Sequence, residues 1–442
     1  MIDLRIPFTD LAALRSAVLR QEDERCAVLL ASRLEQGRRA LLVREMVLPD
    51  DGDYACRSPI HAELKPEFVA RVTKRAKLAN LSLVFVHTHP GDRSPRFSLT
   101  DDEGERELAA FLARRGLQDL HAALVLSEGG LCARILGSSD LIRVVSVGDR
   151  LTVEFDPRIE AGTTAPMFDR QVRAFGVDGQ RVLQTLRVGI VGLGGTGSIA
   201  AQQLAHLGVR DFVLIDSDHL ELTNLNRVVG AGEIDVGLPK SDLARRHVEA
   251  IAPAARVRSV IGDIVHAAVA KELLDADVIL CCTDSHGSRS VIQQVAYQYL
   301  IPCIDVGSTI TTQDGRVTGV FGRVQLLGPD QACLWCTGLL SSEEVRRDML
   351  SAFERRADPY IQGAHEPAPS VISLNGTVVS LAVTMLLGIV TPVPVEPRHL
   401  IYNASASTLR PVRAEAQAGC FICSRQGVLA RGDLQPLFAR QD

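Results

Sequence analysis

The stretch "RVGIVGLGGTGSIAAQQLAHLG", Arg187 to Gly208, decides the fold of the larger part of this chain. It begins with an apolar run that predicts a short buried strand and ends with the periodicity of an amphipathic helix. Between them Gly192, Gly194 and Gly197, with Gly195 beside them, match the G-x-G-x-x-G motif. Glycines let the backbone approach a phosphate at the N-terminus of the helix. The motif predicts a nucleotide site, and by itself fits a nicotinamide-dependent enzyme equally well.

The residues after this stretch continue to alternate between short apolar runs and amphipathic segments. The predicted strands are "DFVLID", "VIGDI", "DVILCC" and "IPCIDVG", and the predicted helices are "PKSDLARRHVEAI", "VAKELLDA" and "SRSVIQQVAYQYL". Apolar strands separated by amphipathic helices indicate a parallel sheet covered on both faces. We therefore predict a Rossmann-like, doubly wound α/β domain.

Polar residues follow the predicted strands of this domain. Asp216 lies about 20 residues beyond the glycine motif, where a carboxylate can hold a ribose. Asn226, Arg227 and Lys240 follow the same strand, and Asp284 follows "DVILCC". Cations that neutralise phosphates, with one carboxylate for a metal, are typical of a Mg–ATP site. We interpret the neighbouring Asp218 and Asn224 as turn or cap residues, and Arg289 is left open between a salt bridge and an active-site role.

The segment "FDRQVRAFGVDGQRVLQTLRVGIVGLGGTGS", followed by "LIDSDHLELTNLNRVVG", "PKSD" and "CCTD", strongly resembles the ThiF/MoeB adenylyltransferases and the adenylation domain of ubiquitin-activating enzymes. The resemblance runs from Met167 to the C-terminus. It implies that ATP adenylates the C-terminal glycine carboxylate of a ubiquitin-fold protein and releases pyrophosphate. By matching position, Asp216 would bind the ribose, and Asn226, Arg227 and Lys240 would bind the phosphates.

The same resemblance implies catalytic roles for four residues. Asp284 would hold Mg²⁺, and Arg170, in "FDRQ", would reach the phosphates of a neighbouring subunit, which implies a homodimer. With Arg227 and Lys240 they would stabilise charge on the leaving pyrophosphate. Relatives that form a thioester often carry a cysteine after the first CxxC, but the segment from "TGLLSS" to "SLNG" has none. We therefore expect adenylation to be this chain's own step.

Two CxxC pairs, Cys333/Cys336 and Cys420/Cys423, provide four thiolates, enough for tetrahedral Zn²⁺. The long segment between the pairs excludes a contiguous zinc ribbon, so the site would tie the C-terminal part back to the sheet. The resemblance implies that this zinc is structural. The alternative is that the thiols are unrelated.

A second motif, "VFVHTHPGDRSPRFSLTDD", lies upstream of the glycine loop. On a strand His87 and His89 point to the same face, and a predicted helix begins near Ser98 and Asp101. Two imidazoles and a carboxylate, with a fourth position for water, make a catalytic zinc site. Because a base must move protons even when zinc activates the water, Glu24 in "DERCAVLLAS" is the candidate general base.

These residues resemble the JAMM/MPN metalloprotease signature over residues 15–140. The resemblance implies that His87, His89 and Asp101 bind zinc, that Glu24 is the general base and that Ser98 helps the oxyanion. The loop between His89 and Ser98 is one residue longer than the commonest spacing, which leaves Asp102 as an alternative ligand. An inactive MPN scaffold, or an aspartate that only caps the helix, is the competing interpretation.

Length and composition agree with a chain of several domains. We predict a metalloprotease domain at 1–153, a linker at 154–166 and an adenylation domain at 167–442. The 442 residues are 46% hydrophobic and 23% charged with a net charge of −5, which argues against a nucleic-acid surface. The N-terminus lacks a secretory signal, and we interpret Thr377–Val390 as a buried helix rather than a membrane segment. We expect a cytoplasmic protein.

The two resemblances together predict a bifunctional enzyme of a bacterial ubiquitin-like pathway. One domain would cleave after the C-terminal glycine of a ubiquitin-like protein, and the other would adenylate that glycine. A conjugating-enzyme-like partner and an antiphage role are implied by the resemblance alone. The alternatives are processing and adenylation of a sulfur-carrier protein, and a catalytically silent scaffold subunit.

Overall fold

The computed structural model describes residues 2–19, 22–91, 94–117, 120–158, 164–351, 354 and 369–441. The chain forms two compact units. The first consists of Met1–Ala161 with Gln298–Leu300 and Val428–Pro436, and the second of Gly162–Tyr297 with Ile301–Gly427 and Leu437–Asp442. Of the predicted linker 154–166, residues 154 and 155 belong to a strand, and 159–163 lie outside the described residues.

The first unit is built on an eight-stranded mixed sheet with the order β10-β9-β1-β3-β2-β6-β7-β8. Its strands are β1 (Asp3–Pro7), β2 (Cys26–Leu34), β3 (Ala40–Val47), β6 (Ser82–Thr88), β7 (Ala122–Ser127), β8 (Gly130–Ile135), β9 (Arg143–Val147) and β10 (Leu151–Phe155). A separate hairpin pairs β4 (Tyr54–Ser58) with β5 (His61–Leu64), and the helices are α1 (Phe8–Val18), α2 (Pro66–Leu78) and α3 (Leu99–Arg114).

Two apolar clusters fill the space between this sheet and its helices. Alternate residues of β2 enter different clusters: Leu29 packs with Leu11 and Leu14 of α1, whereas Leu30 packs with Phe68 of α2. This is the period of two expected for a strand buried on both faces. Helices therefore cover both faces of the first sheet.

The predicted strand that carries His87 and the predicted helix near Ser98 are confirmed, whereas β1 and α1 were not predicted. β1 lies between β3 and β9 and is buried along its whole length, yet it contains Asp3 and Arg5. These two charged residues interrupt the apolar pattern by which a buried strand is predicted from sequence. Their burial is offset because the Asp3 carboxylate lies 3.1 Å from Arg38 and 3.6 Å from Arg143.

The second unit contains another eight-stranded sheet, with the order β13-β12-β11-β14-β15-β16-β17-β18. Its strands are β11 (Arg187–Val191), β12 (Asp211–Asp216), β13 (Arg256–Ile261), β14 (Val278–Cys281), β15 (Cys303–Gln313), β16 (Arg316–Leu327), β17 (His399–Asn403) and β18 (Thr408–Pro411). The described helices are α4 (Asp169–Thr185), α5 (Gly197–Leu207), α6 (Lys240–Ile251), α7 (Ala267–Ala270), α8 (His286–Gln298), α9 (Ser342–Met349) and α10 (Ile372–Val390).

Five neighbouring strands, β11 to β15, pair in parallel, and the doubly wound α/β fold is confirmed. The sheet continues through the antiparallel strands β16, β17 and β18, which were not predicted. Two local predictions were wrong. The strand predicted at "VIGDI" lies earlier, at Arg256–Ile261, and the helix predicted at "VAKELLDA" is a single turn followed by a 3-10 segment, Lys271–Asp275.

The long apolar helix α10 is a core element of the second unit. By length and composition alone it could cross a membrane. Eleven of its 19 residues, between Leu374 and Val390, are buried, however, and the helix packs against α5 and β15. The prediction of a buried helix is confirmed.

Candidate functional site

The histidine pair of the first unit lies at the end of β6. His87 is opposite Cys26 of β2, and His89 follows the strand with its N–H donated to the carbonyl of Leu126. Between them Thr88 is fully buried and accepts a hydrogen bond from the N–H of Arg25 at 2.9 Å. The Nε2 atoms of the two histidines lie 3.2 Å apart, so both rings point to the same place.

Asp101 completes this cluster from the first turn of α3. Its Oδ1 lies 3.2 Å from His87 Nε2, and its Oδ2 lies 3.7 Å from His89 Nε2. Ser98 is the N-cap of the helix and donates both its N–H and its hydroxyl to Asp101 Oδ2. Hydrogen bonds from His87 and Ser98 outweigh burial and hold the pKa of Asp101 below its usual range. One carboxylate thus serves the helix cap and faces the histidines.

The structure does not bring Asp102 to the histidine pair. The Asp102 carboxylate lies 2.6 Å from the guanidinium of Arg134, which also binds Glu105 and stacks over the ring of Phe97. Asp102 is therefore committed to an ion pair on the adjacent face of α3. Of the two candidates, Asp101 has the position of a ligand.

Glu24 lies beside the same cluster, with its Oε1 3.9 Å from His89 Nε2. Its side chain is 10% exposed. Burial raises the pKa of Glu24 above its ordinary value, against the opposing effects of His87 and of a hydrogen bond from the backbone N–H of Ala62. A carboxylate with a raised pKa next to a metal-ligand cluster is suited to accept a proton from water.

His87, His89 and Asp101 each offer one ligand atom, and these atoms lie within 4.8 Å of one another. Two imidazoles and a carboxylate are the ligand types of catalytic zinc sites, which keep a further position for water. The donor set therefore fits Zn²⁺.

The ends of the parallel strands converge in the second unit as predicted. Gly192, at the end of β11, lies against Cys282, which follows β14, and Leu193 donates its N–H to Asp216 Oδ2 at 2.5 Å. Asp216 Oδ1 accepts a second bond, from the N–H of Asp218. Burial raises the pKa of Asp216, and these two donors oppose that effect. The carboxylate that was predicted to hold ribose also fixes the glycine loop.

The side chains that follow β12 bind one another, and one of them lies against this loop. Arg227 lies with its aliphatic stem against Gly195, and its guanidinium binds the carbonyl of Thr223 and the amide oxygen of Asn226. The Lys240 Nζ lies 2.8 Å from Asp218 Oδ2. Asp218 is thus the ion-pair partner of Lys240 in addition to being a turn residue.

The other predicted residues have different surroundings. Asn224 accepts the N–H of Glu221 and caps a short turn, as predicted. Asp284 is exposed in the loop between β14 and α8. Arg289 forms a salt bridge with the buried Asp305 at 3.1 Å, and its guanidinium also donates to the backbone carbonyl of Asp284 at 3.2 Å. The salt bridge is confirmed, and an active-site role stays a prediction.

Arg170 is exposed in the first turn of α4. Among the described residues, it forms no hydrogen bond or ion pair with the glycine loop or with the loops that follow β12 and β14. Its role toward a neighbouring subunit stays a prediction.

Sequence reasoning missed Asn375 of α10. This residue is 1% exposed, and its amide nitrogen would lie 2.4 Å from a Cβ atom placed on Gly195. The amide donates to Ser370 Oγ and accepts from Ser308 Oγ, so it is fixed on two sides. An asparagine inside the otherwise apolar helix "ISLNGTVVSLAVTMLLGIV" is the signal that could have identified it, because a buried amide needs partners.

The two CxxC pairs come together in the second unit. Cys333 Sγ lies 3.6 Å from Cys336 Sγ and from Cys420 Sγ, and Cys336 Sγ lies 3.6 Å from Cys423 Sγ. Tetrahedral zinc with bonds of about 2.3 Å requires sulfur–sulfur distances of about 3.8 Å. The cluster is therefore suited to a structural zinc ion, although the residues are far apart in the sequence.

The chain matches the ThiF family model over residues 168–422. It belongs to the ThiF family. Residues 11–134 match the model of prokaryotic homologs of the JAB domain, so the predicted fusion of a JAB-like domain with a ThiF domain is confirmed.

Relatives of the ThiF part are adenylyltransferases and activating enzymes, which supports the prediction of an adenylyltransferase. The molybdopterin-synthase adenylyltransferase of Escherichia coli (strain K12) is 28% identical over 58% of this chain and 96% of its own length. The sulfur carrier protein ThiS adenylyltransferase of the same strain is 28% identical over 56% of this chain and 89% of its own. The SAMP-activating enzyme E1 of Haloferax volcanii is 27% identical over 57% and 86%.

Two glycines of the ThiF-family loop are expected to differ in their tolerance of alanine. A Cβ on Gly197 would lie 1.8 Å from the carbonyl oxygen of Gly192, whereas one on Gly194 would meet nothing within 4 Å. Gly197→Ala should therefore destabilise the second unit by about 1–3 kcal/mol, and Gly194→Ala should leave its stability unchanged. The only tryptophan, Trp335, belongs to this unit, so its fluorescence during urea unfolding measures the effect. Equal unfolding midpoints for the two variants would contradict the prediction.

Proposed function

We propose that this chain adenylates the C-terminal glycine carboxylate of a ubiquitin-like or sulfur-carrier protein and hydrolyses the bond that follows the same glycine. The convergence of the glycine loop, Asp216 and Asp284 at one edge of a ThiF-family sheet carries the first activity. The position of Glu24 beside His87, His89 and Asp101 supports the second.

In the adenylation step an oxygen of the glycine carboxylate attacks the α-phosphorus of ATP. An acyl–phosphate bond forms, the bond from the α-phosphorus to the bridging oxygen breaks, and pyrophosphate leaves. The backbone N–H groups of the glycine loop and the cations of Arg227 and Lys240 would stabilise the charge that develops on the phosphates. For Lys240 to do so, it must leave Asp218 when ATP binds. Asp284 would hold Mg²⁺, which neutralises phosphate charge when bound.

In the hydrolysis step a water molecule attacks the carbonyl carbon of the glycine. Zinc held by His87, His89 and Asp101 would make that water acidic. Glu24 would accept a proton from the water and deliver it to the leaving amine, so the bond to nitrogen breaks and a free glycine carboxylate forms. Ser98 can help the oxyanion only if its hydroxyl turns away from Asp101, to which it now donates.

The product of hydrolysis is the substrate of adenylation, which is why one chain would carry both activities. A homodimer with Arg170 at a neighbouring site, a conjugating-enzyme-like partner, a bacterial pathway with a defence role and a cytoplasmic location are parts of this proposal. A sulfur-carrier substrate is the second candidate. It is favoured by the absence of any cysteine between Thr337 and Gly376, which argues against a thioester in that segment.

The test is exchange of radiolabelled pyrophosphate into ATP by the full-length chain. The substrate is a ubiquitin-fold protein that is encoded beside it and ends in glycine. We expect exchange only with this protein, and loss of exchange when its terminal glycine is deleted. If exchange is equally fast without the protein substrate, or absent with every ubiquitin-fold neighbour, the adenylation proposal is wrong.

A further inference from the structure

The hairpin formed by β4 and β5 carries a second group of metal-ligand side chains outside the proposed active sites. Cys56, His61 and Glu63 each offer one ligand atom, and the three atoms lie within 4.8 Å of one another. All three residues are exposed. Among the ten cysteines, every one of which the structure describes, Cys56 alone is exposed.

The register of the hairpin explains why these side chains meet. Cys56 lies directly opposite Glu63, and Ser58 lies directly opposite His61. Side chains two residues apart on a strand share a face, so His61 and Glu63 point to the side on which Cys56 lies. The cluster therefore follows from strand pairing and does not depend on a chance contact between loops.

The distances are close to those of a metal site. Cys56 Sγ lies 3.8 Å from Glu63 Oε2, and His61 Nε2 lies 4.0 Å from the same oxygen. Zinc bonds of ordinary length in a tetrahedron require about 3.6 Å between sulfur and oxygen and about 3.4 Å between nitrogen and oxygen. Exposed side chains can move by the remaining few tenths of an ångström. A thiolate, an imidazole and a carboxylate select a borderline ion such as Zn²⁺ over Mg²⁺.

We propose that the β4–β5 hairpin binds Zn²⁺ through Cys56, His61 and Glu63, with water in the fourth position. Binding releases the thiol proton of Cys56 to solvent. This site is separate from the His87–His89–Asp101 cluster and does not depend on either proposed activity.

The hairpin also holds Glu24 in place. The N–H of Glu24 donates to the carbonyl of Ser58 at 2.9 Å, and the N–H of Ala62 donates to the Glu24 carboxylate. Ser58 and Ala62 lie on the two strands that the three ligands would join. A zinc ion there would fix the strands to each other and thereby steady the backbone groups that position Glu24.

The proposal is tested by the rate at which iodoacetamide alkylates Cys56 in the full-length chain, measured by peptide mass spectrometry at increasing free Zn²⁺. We expect zinc to slow alkylation of Cys56 by at least about tenfold, because donation to the metal lowers the nucleophilicity of the thiolate and the ion obstructs access to the sulfur. His61→Ala and Glu63→Gln should each raise the zinc concentration needed for half-protection by at least about tenfold. Mg²⁺ should give no protection.

The matched control is Glu67→Gln, which removes an exposed carboxylate on the neighbouring helix α2 and should leave protection unchanged. Equilibrium dialysis should find one zinc ion fewer in Cys56→Ser than in the unmodified chain, with His87 and His89 intact in both. The proposal would be overturned by an absence of protection, or by protection in His61→Ala and Glu63→Gln at the same zinc concentration as in the unmodified chain. Neither measurement uses cleavage or pyrophosphate exchange. Failure of the zinc-site proposal is therefore distinguishable from failure of the proposed function.

Discussion

Glu24→Gln is expected to lower the rate of cleavage after the glycine by about 10²–10⁴-fold while exchange of pyrophosphate into ATP continues unchanged. The amide has nearly the shape of the carboxylate but cannot accept the proton of the attacking water, and a positioned base contributes about that factor. The Glu24 side chain is buried beside His89, so a replacement of the same shape preserves the packing. The substrate is the ubiquitin-like protein extended beyond its terminal glycine, and the measurement is the rate at which the extension is released.

Glu22→Gln is the control for this experiment. Glu22 is an exposed carboxylate two residues earlier in the chain, and its replacement should leave the rate of cleavage unchanged. The proposal that Glu24 is the base is wrong if Glu24→Gln cleaves at the original rate. If exchange is lost together with cleavage, the two activities are not independent.

Asp284→Ala is expected to have the reverse effect, with exchange lowered by about 10²–10³-fold and cleavage unchanged. The loss follows from removing a group that stabilises developing charge on the phosphates, for which one preorganised contact contributes about that factor. Asp284 is exposed in a loop, so its replacement should not disturb the core of the second unit. The measurement is the exchange rate at saturating ATP and at several Mg²⁺ concentrations.

Asp178→Ala is the matched control, since Asp178 is a solvent-exposed aspartate of α4 that pairs with Arg181 on the same helix. It should retain full exchange. Full exchange in Asp284→Ala would remove Asp284 from the proposed mechanism, whereas a loss that excess Mg²⁺ restores would support its role toward the metal.

The features that sequence reasoning found are those that local pattern determines. The period of two on β6 is enough to place His87 and His89 on one face, and a glycine motif between a strand and a helix is readable without tertiary information. The spacing Ser98-x-x-Asp101 was interpreted either as a helix cap or as part of a metal site. The structure shows that a single carboxylate has the position for both, a possibility that spacing alone does not reveal.

The features that were missed depend on residues far apart in the chain. β1 was overlooked because Asp3 and Arg5 interrupt its apolar pattern. Their burial depends on ion pairs that the buried Asp3 forms with Arg5, Arg38 and Arg143. Asn375 meets Gly195 only after α10 packs against α5. Cys56 meets Glu63 only in the register of the β4–β5 pair. Because these contacts form only through tertiary packing or strand register, no local sequence periodicity can predict them.

The cap of α3 has a consequence for the affinity of the histidine cluster for a cation. A free aspartate side chain loses conformational entropy when it is fixed by a metal, and that loss weakens binding. Asp101 has already lost most of this freedom, because Ser98 fixes its carboxylate when the helix forms. The folding of α3 therefore already restricts the third ligand, and a cation that binds at this cluster meets a preorganised carboxylate.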